Sequence, residues 1–118
     1  MSPSSQLSLE VRREGDSAVV TARGDIDLST LAKATAALDG ARAGARSLVL
    51  DLREVGFMDT SGLRLIIEEQ RRAAATGYRF AVIPGSSRVR RLFEIAGLGG
   101  DDELFVDALP HSAGGGGQ

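Results

Sequence analysis

The stretch LVLDLREVGFMDTSGL, residues 48–63, decides how the rest of the chain is read. Leu48, Val49 and Leu50 form an apolar run with the length and branching of a buried strand. The charged residues 51–55 read as the loop that ends it. Phe57 and Met58 are two large apolar side chains expected inside. Asp59, Thr60, Ser61 and Gly62 follow, and Leu63, Ile66 and Ile67 at once take up helical spacing. A carboxylate and two hydroxyls therefore stand at the start of a helix, where a central strand ends.

That position permits two readings. In the first, Asp59, Thr60 and Ser61 are caps that accept hydrogen bonds from the orphan N–H groups of the first turn, worth about 1 kcal/mol. In the second, one hydroxyl accepts a phosphoryl group, because a helix N-terminus tolerates an anion and the modification adds roughly −1.5 to −2 charges. Gly62 would then leave the backbone uncrowded for the approach of another protein. The readings are compatible, since a single side chain is enough for the cap.

A length of 118 residues fits one domain, and 42% apolar residues suffice for one core. The net charge of −2, with both signs interspersed, gives no footprint for nucleic acid or for an anionic membrane. Without cysteine there is no disulfide, thiol nucleophile or cysteine-based zinc site. The single histidine, His111, lies in a Gly-rich tail, so no Ser-His-Asp set can be assembled. Residues 1–10 are Ser-rich and lack the apolar core of a signal peptide. No apolar run approaches the ~20 residues of a membrane span. The expectation is a cytoplasmic protein without a cofactor.

Leu7, Leu9 and Val11 alternate with polar residues, Glu14-Gly15-Asp16 reads as a turn, and residues 18–22 form a second strand, which makes an initial hairpin. The strand ends at Arg23-Gly24, and residues 24–30 (GDIDLST) form a loop into a helix over about 29–43. Asp25 and Asp27 read as a solvated loop and helix cap. With Asp59 they could offer carboxylate oxygens to Mg²⁺, but no calcium-loop spacing is present, so no metal is assigned. A second helix runs from Ser61 to about Ala75, its outer face laced with Arg64, Glu68 and Arg72. Residues 78–83 form another strand. Pro84-Gly85-Ser86-Ser87 starts a third helix on which Val89, Leu92, Phe93 and Ala96 share a face. Its Gly-Ser-Ser entry could hold an anion but lacks the lysine and spacing of a phosphate loop. Arg88, Arg90 and Arg91 form a basic cluster that is either a solvated face or a contact for an acidic partner. A loop over 99–102, a short strand over 104–106 and a disordered tail over 110–118 complete the reading. The order β-β-α-β-α-β-α-β predicts an α/β domain over residues 7–109, preceded by a flexible arm over 1–6. Its sheet is mixed and mostly parallel, with four to five strands, an antiparallel start and a cover of helices.

Three segments in order, residues 48–67, VRRLFEIAGL and DELFVDAL, resemble the STAS domain family, and within it the stand-alone anti-sigma factor antagonists of bacteria. The most specific part is Phe57-Met58-Asp59-Thr60-Ser61-Gly62-Leu63. It matches a family pattern of aspartate, Ser or Thr, a further small residue, then Gly-Leu. Gly24-Asp25-Ile26-Asp27 is similar to the family's acidic loop, and Val89, Leu92, Phe93 and Gly97-Leu98 to its third-helix pattern.

The resemblance implies a partner switch. The unmodified domain binds an anti-sigma factor that is also an ATP-dependent serine/threonine kinase, and the sigma factor is freed for transcription. Phosphorylation of the hydroxyl after the aspartate, here Thr60, blocks binding, and a metal-dependent phosphatase restores it. Ser61 is the secondary acceptor, and Asp25, Asp27, Asp59, Thr60, Ser61 and Gly62 are the expected partner-binding residues. Thr60 stands where many relatives have serine. The resemblance implies a binding module rather than an enzyme, monomeric when free, with no nucleic-acid or membrane partner. The alternatives are an accessory subunit of a membrane transport system and a module of a stress-signalling complex.

Overall fold

The alternation of apolar residues along Leu7, Leu9 and Val11 needs a neighbouring strand, and the chain supplies one at once. In the computed structural model, which describes residues 6–98 and 104–107, strand β1 (Leu7–Glu14) turns through Gly15-Asp16 and pairs antiparallel with β2 (Ser17–Ile26). Gly15 sits at φ +62°, a conformation glycine adopts without steric cost. Helix α1 (Leu31–Arg42), strand β3 (Ser47–Met58), helix α2 (Thr60–Thr76), strand β4 (Arg79–Ile83) and helix α3 (Ser87–Ile95) follow. The sheet order is β1-β2-β3-β4, with β2, β3 and β4 parallel, so each parallel neighbour is reached through a helix. The α/β class, the hairpin start and the mixed four-stranded sheet agree with expectation.

The core lies between sheet and helices. Ala18, Val20 and Ala22 of β2 and Leu48, Leu50 and Leu52 of β3 meet Ala34, Leu38 and Ala41 of α1 and Ile66 and Ala73 of α2. Period-two alternation turns Val49 and Asp51 to the opposite side of the sheet.

Two boundaries differ from the sequence reading, each for a physical reason. Residues 51–55, expected as a loop, are strand. Asp51 is only 4% exposed. Its carboxylate accepts hydrogen bonds from the Arg53 backbone N–H at 3.0 Å and from Arg53 Nε and Nη2 at 3.0 and 2.9 Å. Burial would push this carboxyl up, but the Arg53 bonds and charge outweigh it and hold the pKa below its ordinary value. A carboxylate satisfied in this way does not break a strand. Likewise β2 does not stop at Arg23-Gly24. It shifts register between Thr21 and Arg23 and again between Gly24 and Asp25, then pairs on to Ile26. Gly24, at φ +115°, has the Gln6 carbonyl 2.3 Å from where a Cβ would stand.

The last expected strand, 104–106, is reduced to one parallel bridge between Val82 and Phe105. Val82 N–H donates to Leu104 O at 2.7 Å, and Val106 N–H to Val82 O at 3.0 Å. The Phe105 ring packs against Phe93 of α3 with centroids 4.8 Å apart. The flexible arm (apart from Gln6), the loop over 99–102 and the tail over 110–118 with His111 lie outside the described residues.

A buried ion-pair network ties the two large helices together. Glu69 of α2 is 1% exposed. It accepts hydrogen bonds from Arg42 Nε and Nη2 of α1, both at 2.8 Å, and from the Tyr78 hydroxyl just before β4. Arg72 stands 3.6 Å away, and Arg42 also reaches Asp39 at 2.7 Å. Burial would raise the Glu69 pKa, but Arg42 and Tyr78 bonding outweighs it and the carboxyl is held below its ordinary value. Burial, then the bond to Glu69, pushes the Tyr78 hydroxyl up to about 12.

Removing one partner of such a pair leaves the other charge uncompensated. Glu69→Ala is expected to lower stability by about 3–5 kcal/mol, read from urea unfolding. The carboxyls of Glu69 and Asp51 have lower pKa values folded than unfolded. Their contribution is therefore present above the unfolded values and lost as pH falls through the folded ones. The urea midpoint should hold from neutral pH down to about 5 and then fall. Glu69→Gln should fall less steeply on that acid limb, and an unchanged slope would contradict the role given to Glu69.

Candidate functional site

Strands β2 and β3 end level with one another. Asp25 pairs with Phe57 and Ile26 with Met58, and the Asp59 N–H then donates to Ile26 O at 3.2 Å. Asp27 and Asp59 are thus the first residues beyond two adjacent parallel strands, at the carboxyl rim where open α/β sheets place their binding sites. Asp27 begins the turn into α1, and Asp59 leads directly into α2.

Asp59 is the N-cap of α2. Its Oδ1 accepts the Ser61 N–H at 2.8 Å, and its carbonyl accepts those of Gly62 at 3.1 Å and Leu63 at 3.2 Å. The carboxylate alone therefore supplies the side-chain cap, and both hydroxyls are spared. Thr60, the first residue of α2, is exposed. Its hydroxyl makes no hydrogen bond among the described residues. Ser61 is half-buried beside it.

Asp27 holds a turn of its own before α1. Its Oδ1 accepts from the Ser29 N–H at 2.9 Å, Ser29 Oγ at 2.7 Å and the Thr30 N–H at 3.2 Å. In return the Asp27 N–H donates to Thr30 Oγ1 at 3.0 Å, and that hydroxyl donates to Asp25 O at 2.9 Å. This bonded turn takes up residues 27–30, and α1 follows at Leu31 rather than Ser29, with Thr30 as an N-cap that makes no side-chain cap hydrogen bond. Asp25 is half-buried on β2, with its Oδ1 on the side of Gly56. Among the described residues no group of three His, Cys, Asp or Glu side chains is placed to hold a metal ion. Asp25, Asp27 and Asp59 line one rim without converging on a common point.

Two expectations about side chains are corrected. Phe57 and Met58 do not both turn inward, because residues 57 and 58 are consecutive in a strand and point to opposite faces. Met58 is 6% exposed and Phe57 41%. Gly62 does not clear a path for another protein. It is buried, and a Cβ there would lie 2.5 Å from Met58 Cγ and 2.9 Å from Ile26 Cγ2. Glycine at 62 lets the first turn of α2 sit directly on the ends of both strands.

The sequence reading missed the apolar flank of this rim. Leu28, between the two acidic residues and Ser29, is 74% exposed. It also missed a groove of about 460 Å³ along α2, lined by Thr60, Leu63, Arg64, Ile67, Glu68 and Arg71. The i, i+3, i+4, i+7 spacing of these residues was the available signal. At α3, Ser86 Oγ accepts the Val89 N–H at 3.3 Å and Arg90 donates to Gly85 O at 3.3 Å, so the Gly-Ser-Ser entry serves as a cap. Arg88 and Arg91 are exposed. No helix among the described residues is long and apolar enough to cross a membrane.

Solved structures share this architecture. An anti-sigma factor antagonist from Mycobacterium paratuberculosis is 23% identical, with a TM-score of 0.73 and 88% of each chain covered. The Bacillus cell fate determinant SpoIIAA in its phosphorylated form is 21% identical, with a TM-score of 0.68 over 86% of this chain and 92% of the other. A sulfate transporter family protein from Wolinella succinogenes is 17% identical, with a TM-score of 0.65 over 81% and 80%. At these identities the likeness is one of fold. The family model described as Mlab, STAS domain matches residues 9–107. It spans the paired strand ends, both helix entries and the bridge at Phe105, and the chain therefore belongs to the STAS domain family.

Proposed function

We propose that the chain is an anti-sigma factor antagonist whose unmodified form binds an anti-sigma factor and is turned off by phosphorylation of Thr60. The observation that carries the reading is the exposed Thr60 hydroxyl, left without a hydrogen bond because Asp59 caps the helix. A kinase can reach this hydroxyl without unfolding the helix start. Ser61 is half-buried, which makes it the poorer acceptor. The fold is shared with SpoIIAA, an anti-sigma factor antagonist known in unphosphorylated and phosphorylated forms, and this lends the reading support.

In this account the chain is a binding module and a kinase substrate, not an enzyme. It acts in the cytoplasm and is monomeric when free. Its partners are an anti-sigma factor that is itself an ATP-dependent serine/threonine kinase and a metal-dependent phosphatase. The partner covers the rim formed by Asp25, Asp27, Asp59 and Thr60, with Leu28 and Phe57 supplying apolar contact. Gly62 contributes by seating α2 rather than by touching the partner.

The switch is electrostatic. A phosphate on Thr60 brings roughly −1.5 to −2 charges next to Asp59 and near Asp25 and Asp27. Bringing that anion into an interface already matched to three carboxylates costs several kcal/mol. About 3 kcal/mol weakens binding over a hundredfold. No large conformational change is required.

A pull-down from host lysate with wild-type and Thr60→Asp baits identifies the partner, and calorimetry then measures its affinity. Thr60→Asp, which carries part of the phosphate's charge, is expected to bind the kinase roughly tenfold or more weakly. Thr60→Ala should bind as wild type does and resist phosphorylation. Equal affinity for wild type and Thr60→Asp would contradict the charge-repulsion mechanism. Recovery of transport-system subunits equally by both baits would assign the chain to an accessory role in transport, and recovery of a stress-signalling scaffold to a module of that complex.

A further inference from the structure

The N-terminal amides of α2 have little left to offer an anion on Thr60. Ser61 N–H is given to the Asp59 carboxylate, and Gly62 and Leu63 N–H to the Asp59 carbonyl. A phosphate on Thr60 would meet the Asp59 carboxylate and needs a cation from elsewhere. We propose that Arg64, one helical turn beyond Thr60, pairs with that phosphate and holds it at the mouth of the groove along α2, beside the strand-end rim. The inference rests on the Thr60 reading for its biological meaning and extends it to how the modified state is held.

Three observations support the pairing. Thr60 and Arg64 line the same groove, so they lie on one face of the helix. Side chains on a helix lean toward its N-terminus, so the Arg64 guanidinium reaches back over the residue four before it. Arg64 is exposed and makes no hydrogen bond or ion pair among the described residues, so no existing contact has to break. Guanidinium is also the side chain whose fork fits phosphate oxygens. The other charges that face the position are Asp59 on the same helix start, Asp25 and Asp27 from the neighbouring strand end, and Glu68 and Arg71 farther along the groove. Arg71 stands eleven residues on, about 16 Å along the axis, out of reach of the phosphate.

The consequence is regulatory. With Arg64 holding it, the phosphate and the guanidinium occupy the mouth of the groove beside Leu63 while the added charge stays next to the rim, so the modified face is blocked by occupancy and by repulsion together. The same pairing shields the phosphate from a phosphatase and prolongs the off state.

The test uses the full chain with phosphothreonine installed at position 60 during synthesis, so that no kinase is needed. Phosphorus NMR follows the phosphate through its second ionisation at low salt, in the wild-type background and with Arg64→Gln, Arg64→Lys or Arg71→Gln. Arg64→Gln should raise the ionisation midpoint by roughly 0.15–0.4 pH unit, the amount that loss of an exposed helical charge pair gives. Arg64→Lys should restore part of the difference, Arg71→Gln should leave the midpoint in place, and high salt should erase the contrast. A midpoint unchanged by Arg64→Gln, or moved as much by Arg71→Gln, overturns the pairing. Either result leaves the kinase-substrate reading standing on its own test.

Discussion

The first turn of α2 lies against Met58 and Ile26 with no room for a methyl group between them. That close approach fixes the geometry of the site. It brings a helix start onto the level ends of two parallel strands, so Asp59 emerges next to Ile26 and its own N–H extends the strand ladder by one bond. A side chain at position 62 would meet Met58 Cγ and Sδ and Ile26 Cγ2 within 3 Å, so those side chains or the helix start would have to shift. The core beneath, from Ala18 through Leu48 to Ile66, supports this arrangement rather than determining it.

From there the chemistry divides among three adjacent polar residues. The carboxylate of Asp59 takes the structural duty, since an ionised acceptor at an N-cap makes the stronger hydrogen bond. Thr60 is thereby left exposed and chemically uncommitted, and Ser61 is half withdrawn. Across the rim Asp27 repeats the pattern, because its carboxylate closes a turn with Ser29 and Thr30. An acidic helix cap and an acidic turn side by side give this edge its negative character as a by-product of leading two strands into two helices. On the proposed reading, a protein partner matched to that character is sensitive to any further negative charge placed on Thr60. On the far side of α2, Glu69 anchors the helix to α1 through Arg42, so the surface around Thr60 is presented by a fixed element.

Much of this was legible from residue order. The alternation at Leu7, Leu9 and Val11, the Glu14-Gly15-Asp16 turn and the helical spacing from Leu63 each reflect local physics, and the elements stand where that physics puts them. The polar triplet before Gly62 marked the start of α2 at the end of β3. What escaped the sequence depended on distant partners. Asp51 reads as a loop residue until Arg53 is seen to satisfy it, and nothing in the sequence singles out Glu69, whose partner Arg42 arrives from another helix. Phe57 reads as core because the parity of its strand is set only once β3 is known to continue past residue 51. Gly62 was singled out for the wrong side, since the atoms that forbid a Cβ belong to Met58 and to Ile26 of a different strand.

The central claim is that Thr60 is the phosphoryl acceptor through which the partner is released. The most direct measurement captures the unmodified chain with its partner from the native host, adds Mg²⁺ and ATP to the washed complex, and maps phosphate on the chain by mass spectrometry while following release. The account predicts one phosphoryl group, on Thr60, appearing in step with dissociation. A complex that stays intact with Thr60 unmodified, or phosphate on another residue accompanying release, would contradict it.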